Sequence, residues 1–153
     1  MAFISLTRLK IRSWRFMPAF LWYAFRSSRQ AQRAEGFLDG KLVVDARNTF
    51  WTVTAWTSEA AMRAYRAQGP HLGAMSKLAH WCDEASVAHW QQENVSLPSP
   101  EEAFRRMAEG GRPSRVDHPS ADHTNGRIAP PKVRSQTPLP SKSSSAAVAQ
   151  TSL

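Results

Sequence analysis

Residues 49–66 read TFWTVTAWTSEAAMRAYR, and this stretch decides the fold. Aromatic and β-branched residues dominate Thr49–Trp56, which predicts a strand whose side chains alternate between two sheet faces. One face carries Phe50, Thr52, Thr54 and Trp56, and the other carries Thr49, Trp51, Val53 and Ala55. A helix follows, because Thr57 or Ser58 is a good N-cap and Glu59 complements the positive end of the helix dipole.

Three elements are predicted before this stretch. Ala2–Ile11 alternates in the manner of a strand. A helix follows, with Pro18 in its first turn and Gly36 as its stop. A short second strand, Lys41–Val44, precedes a turn at Ala46–Asn48.

Three more elements are predicted after it. Gly69-Pro70 breaks the second helix, and a short helical segment, His71–Leu78, continues it. Ser86–Gln91 is the last strand, and a capping box at Ser99–Glu102 begins a small helix. The order β-α-β-β-α-β is that of an α+β, ferredoxin-like fold. Pairing with a second copy would cover the free sheet face of so small a domain.

The composition divides the 153-residue chain in two. Residues 1–109 form the predicted domain, while residues 110–153 are rich in Ser and Pro and have no aromatic residue. Such a segment buries too little apolar area to offset its ordering entropy, so we expect a disordered tail. One cysteine excludes an internal disulfide and favours a reducing, cytoplasmic location. The apolar run Phe16–Phe25 is too short for a transmembrane segment.

The charge is concentrated at the N-terminus. Residues 1–34 hold seven Lys or Arg and no Asp or Glu, within a net charge of +8. Such a segment can attract phosphate or an acidic membrane, although a solvated basic face is the simpler interpretation. We do not expect nucleic acid as a partner, because the strand cations lack the interleaved aromatics that stack on bases.

Two segments carry a family resemblance: residues 49–66, quoted above, and HWCDEASVAHW at 80–90. They resemble the bacterial family DUF3291, in the dimeric α+β barrel superfamily. Antibiotic-biosynthesis monooxygenases, haem-degrading monooxygenases and, more distantly, spheroidene monooxygenase belong to the same superfamily. The resemblance covers Ala2–Trp90 and implies a homodimer with a monooxygenase-like pocket. DUF3291 itself has no established reaction.

Haem binding is one chemistry that the resemblance implies. Haem-degrading members have a distorting Trp and an axial His at positions occupied here by Tyr65 and Met75. His71 lies one helical turn before Met75, and a thioether is itself a soft ligand for iron. The sequence therefore leaves haem as an open alternative to cofactor-free chemistry.

The candidate site residues are histidines and aromatics. His71 and His80 are the predicted groups for proton transfer or ligation, and the predicted pocket residues are Trp51, Tyr65, Met75, His89 and Trp90. Gaps of nine, two and seven between His71, His80, Cys82 and His89 match no metal site, so none is predicted. Cys82 is expected to be a small buried hydrophobe rather than a nucleophile.

Two functions fit these residues. The first is a monooxygenase-like enzyme, cofactor-free or haem-assisted, that acts on an aromatic or isoprenoid small molecule. The alternative is a non-enzymatic, dimeric small-ligand-binding protein on the same scaffold, in which the aromatic side chains only pack.

Overall fold

The computed structural model describes residues 1–141. In chain order the strands are β1 (Ala2–Ile11), β2 (Phe37–Asp45), β3 (Thr49–Trp56), β4 (Cys82–Gln92), β5 (Arg112–Pro113) and β6 (Val133–Pro138). The α-helices are α1 (Met17–Arg33), α2 (Glu59–Arg66), α3 (Gly69–Trp81), α4 (Pro100–Gly110) and α5 (Ala121–Thr124), and a 3-10 turn, Trp14–Phe16, precedes α1.

The strands form one antiparallel sheet in the order β5-β4-β1-β3-β2-β6. Its inner four strands have the ferredoxin-like order β4-β1-β3-β2, so the predicted fold class is confirmed. Helices α1, α2 and α3 lie over one face of the sheet. The predicted break in the second helix is present, because Gly69 has a φ of +58° and Pro70 lies in the first turn of α3. Strands β2 and β4 both begin four residues earlier than the sequence predicted.

Helix α4 covers the other face of the sheet. Its Ala103 and Met107 are buried against the apolar side chains of the inner strands, including Ile4, Trp51 and Val53. We had expected a second copy to cover this face, but α4 of the same chain already covers it.

The segment after α4 packs on the domain, which corrects the prediction of disorder for residues 112–141. Strand β5 pairs with β4, and strand β6 pairs with β2, so the segment extends both edges of the sheet. Its side chains Val116 and Leu139 are buried. Two open sheet edges offer backbone groups for pairing, and such pairing does not require an apolar composition. Residues 142–153, the rest of the predicted tail, lie outside the described residues.

Within residues 1–141, none of the helices combines the length and the apolar character needed to cross a bilayer.

Candidate functional site

A cavity of about 250 Å³ lies between the sheet and its helices. Its floor is polar, because β1 contributes Ser5 and Thr7 and β3 contributes Thr52 and Thr54. Ser5 pairs with Thr54, and Thr7 pairs with Thr52, so these four small side chains form one patch in the middle of the sheet. Large side chains at the same positions would have filled the space.

Two apolar clusters stand at the ends of this patch. At one end Phe3, Phe37 and Trp56 pack with Met62. At the other end the cluster consists of Ile11, Met17, Phe20, Phe50, Trp81, Cys82, Ala85 and Val116. Because rings and long side chains hold the helices off the sheet at both ends, the small hydroxyl-bearing residues between them leave the cavity open.

His89 is the titratable side chain of the sheet floor. It lies on β4 opposite Ser5 of β1, and its ring is 5.5 Å from the ring of Phe3. Burial lowers the pKa of His89 below its usual value, and the positive charges of Arg66 and Arg112 lower it further. The imidazole is therefore neutral over a wider pH range than that of an exposed histidine, and a neutral imidazole can accept a proton.

A cation stands near this imidazole. Arg66, from the last turn of α2, lines the cavity, and its positive charge contributes to the lowered pKa of His89. The cavity therefore combines a polar floor and apolar walls with a base and a positive charge that stabilises an anion.

Two tyrosines close the cavity on the helix side. The Tyr65 hydroxyl donates to the backbone oxygen of Ser27 at 3.1 Å, and burial raises the pKa of Tyr65. Lys77 donates to the Tyr23 hydroxyl at 2.8 Å, and this hydrogen bond and the Lys77 charge lower the pKa of Tyr23. The buried Ser27 hydroxyl also lines the cavity, and it has no hydrogen-bond partner among the described residues. It is thus available to a ligand.

Three of the predicted pocket residues meet at this cavity. Tyr65, Met75 and His89 all line it, from α2, α3 and β4 respectively. Met75 is also 36% exposed, so the cavity reaches the surface beside α3.

Trp51 and Trp90 do not line this cavity, which corrects their assignment to the pocket. Both contribute to the apolar layer under α4, on the opposite face of the sheet. The Trp51 indole donates to Asp45 at 3.0 Å, and the guanidinium of Arg106 lies over the Trp90 ring at 4.7 Å. Strand alternation explains the error: adjacent residues such as His89 and Trp90 cannot both point into one pocket.

The two histidines predicted to be catalytic are placed differently. His80 is exposed at the end of α3, where its backbone oxygen accepts from Arg12 and its ring packs edge-on against Phe16. It does not line the cavity. His71 belongs to the first turn of α3, and its side chain lies outside the described part of the structure.

Sequence reasoning missed the polar floor and Arg66. A signal was present: Ser and Thr occupy the helix-facing positions in the middle of β1 and β3, between large apolar residues. No site was predicted at these positions. Their position in the middle of a helix-covered face is what marks a cavity.

The cavity is a poor fit for haem. Small-molecule pockets usually measure ~300–1,000 Å³, and this cavity lies just below that range. Among the described lining residues, the imidazole of His89 and the thioethers of Met62 and Met75 could bind iron, from β4, α2 and α3 respectively. No group of three or more His, Cys, Asp or Glu in residues 1–141 could hold a metal ion.

Comparisons with known proteins show likeness in structure only. No protein-family model matches the sequence, and no curated protein matches it. One similar structure is a variant of SnoaB, a cofactor-independent oxygenase from Streptomyces nogalater. Its TM-score to this chain is 0.52 at 18% identity, and the match covers 64% of this chain and 98% of SnoaB. An antibiotic biosynthesis monooxygenase has a TM-score of 0.53 at 15% identity, and the match covers 60% of this chain and 99% of that one.

A protein of Mycobacterium tuberculosis has a TM-score of 0.57 at 11% identity, and the match covers 63% of this chain and all of that one. At such identities the likeness establishes the fold and nothing finer. The chain therefore has the ferredoxin-like α+β scaffold on which antibiotic biosynthesis monooxygenases are built.

Proposed function

We propose that this protein is a cofactor-free oxygenase that acts on a small aromatic or isoprenoid molecule bound in the cavity between the sheet and the helices. The observation that carries the proposal is the position of His89, a half-buried imidazole with a lowered pKa at the wall of that cavity. The similarity in fold to SnoaB, a cofactor-independent oxygenase, supports the reaction class.

The lining suits one small ring system. Phe20, Tyr23 and Leu78 offer apolar surface, while the floor hydroxyls and Ser27 offer hydrogen bonds that fix an orientation. A volume of about 250 Å³ favours a molecule of a few fused rings or a short isoprenoid segment over a macrocycle.

The proposed reaction begins with proton abstraction. Neutral His89 removes a proton from an activated CH₂ group, and the charge of Arg66 stabilises the resulting enolate. The carbanion electron pair attacks O₂, forming a C–O bond, and the protonated imidazole returns its proton to give a hydroperoxide. Loss of water then leaves a carbonyl: one oxygen atom stays in the product, and the other leaves as water with the two hydrogens of the CH₂ group.

Oxygen uptake with an anthrone, which carries an activated CH₂ group, tests the proposal. We expect His89→Gln to lower kcat by ~100-fold or more, the usual contribution of general base catalysis. His80→Gln is the matched comparison and should retain activity, because His80 lies outside the cavity. Activity retained in His89→Gln, or lost only in His80→Gln, would refute His89 as the base.

Binding without turnover is a separate outcome. In that case an anthrone quenches the tryptophan fluorescence of the wild-type protein while no oxygen is consumed. That result would replace the enzyme with the non-enzymatic ligand-binding alternative. His71→Gln completes the same series and tests the other histidine that the sequence predicted.

Four predictions remain outside this argument. DUF3291 membership is supported by the two sequence segments. A homodimer is supported by the family resemblance alone, because α4 already covers the sheet face that a second copy was expected to cover. Light scattering distinguishes the 17.1 kDa monomer from a dimer. A cytoplasmic location stays a prediction from the single cysteine, and haem stays one that a haemin titration with a Soret readout would test.

A further inference from the structure

The outer surface of α1 is unusually apolar for a face turned to solvent. Trp14, just before the helix, is 74% exposed, and Leu21, Trp22 and Phe25 are 47%, 59% and 54% exposed. The Trp22 and Phe25 rings stack on each other at 6.4 Å. Single exposed apolar residues are ordinary, but a group of four large ones marks an interaction surface. We call these four residues the α1 outer patch.

Exposed arginines lie near this patch. Arg15 is in the turn before α1, Arg26 and Arg29 are on α1, and the Arg29 guanidinium lies 5.7 Å from the centre of the Phe25 ring. The first acidic residue of the chain is Glu35, so no carboxylate lies within residues 1–34 to neutralise them. The surface is therefore both apolar and strongly cationic.

We propose that the α1 outer patch docks on an anionic lipid surface. Indole and phenyl rings favour the boundary between headgroups and acyl chains, and arginines beside them pair with lipid phosphates. Since none of the described helices can cross a bilayer, α1 would lie in the plane of the interface.

Charge and shape argue against two other occupants. A second copy that used the same patch would bring two cationic surfaces together, with no acid in α1 to offset the repulsion. Nucleic acid would satisfy the arginines, but Leu21 cannot stack on a base and the Trp22 and Phe25 rings already stack on each other. A lipid surface uses the aliphatic, aromatic and cationic groups together.

Vesicle co-sedimentation tests the proposal with the full chain. We expect binding to phosphatidylcholine vesicles that contain phosphatidylserine, and much weaker binding to phosphatidylcholine alone. Arg26→Glu/Arg29→Glu should weaken binding at least 20-fold, because each lost cation costs on the order of fivefold in affinity and each reversed charge costs more. Trp22→Ala/Phe25→Ala should weaken it through lost insertion. Both pairs are exposed, and circular dichroism checks their folding.

The matched control lies on β6. Val133→Ala/Arg134→Glu removes an exposed apolar residue and reverses an exposed charge elsewhere, and it should bind as the wild type does. Equal binding of all variants, or no binding of the wild type at low salt, would overturn the proposal. If the wild type is a dimer and Trp22→Ala/Phe25→Ala is a monomer, self-association would replace lipid binding as the role of the α1 outer patch. Binding to single-stranded DNA without binding to vesicles would replace it with nucleic acid.

Discussion

Asp45 connects the late part of the chain to the centre of the sheet. Its carboxylate is buried, with one oxygen accepting from the Trp51 indole at 3.0 Å and the other from the Lys132 backbone N–H at 2.7 Å. In Asp45→Asn the amide has one oxygen for these two donors, and its NH₂ group faces the other. Loss of a hydrogen bond to a charged group costs ~1.5–3 kcal/mol, and the remaining bond weakens.

We therefore expect Asp45→Asn to lower the unfolding free energy by ~2–4 kcal/mol, which corresponds to roughly 4–16 °C in Tm for a chain of this size. Urea unfolding followed by tryptophan fluorescence and circular dichroism measures the change. Asp117→Asn is the matched control: its partner Arg115 is highly exposed and 3.6 Å away, so the change should stay below ~0.5 kcal/mol. Equal effects of the two substitutions would refute the reasoning.

Four further predictions concern the rest of the fold. Removing residues 112–153 should cost ~3 kcal/mol or more, because Val116 and Leu139 lose their burial; an unchanged Tm would restore the prediction of a dispensable tail. Trp56→Ala should cost ~3–5 kcal/mol by urea unfolding, since the ring is fully buried and stacked on Tyr65; a cost below ~1 kcal/mol would contradict this packing. Burial, with a smaller effect of Asp83, raises the pKa of the Cys82 thiol to about 12. A disulfide reagent should therefore modify this thiol far more slowly in the native protein than in urea. Similar rates would show that the thiol is accessible. Because the pKa of His89 is lower in the folded than in the unfolded chain, unfolding takes up protons, and the free energy of unfolding falls as the pH decreases from ~6.5 towards the folded pKa. His89→Gln should flatten this pH dependence in urea unfolding. An unchanged pH dependence would contradict the lowered pKa of His89.

The order of the elements was predictable because alternation and caps are local. Thr49–Trp56 has the period of a strand, and Ser58 accepts from the Ala61 N–H as a predicted N-cap should. The break at Gly69 was equally readable, since few other residues tolerate its positive φ. Such signals need no knowledge of the rest of the chain.

The site was only partly predictable, because it depends on which face of the sheet the helices cover. The alternation of β3 places Trp51 and Trp56 on opposite faces of the sheet, but it does not predict which of the two rings faces α1. Once the faces are known, Trp56 lies at one end of the cavity and Trp51 lies under α4. The packing of residues 112–141 was hidden for another reason, since backbone pairing leaves little trace in composition.

The pairing of β5 and β6 with the two sheet edges has a consequence for biosynthesis. The four inner strands emerge from the ribosome before either edge strand, since β5 begins at Arg112 and β6 at Val133. A nascent chain that folds early therefore presents two unpaired edges, and edges of this kind recruit other chains. Protection of the sheet arrives only with the last part of the described chain, so stalled or truncated products should be the species that aggregate.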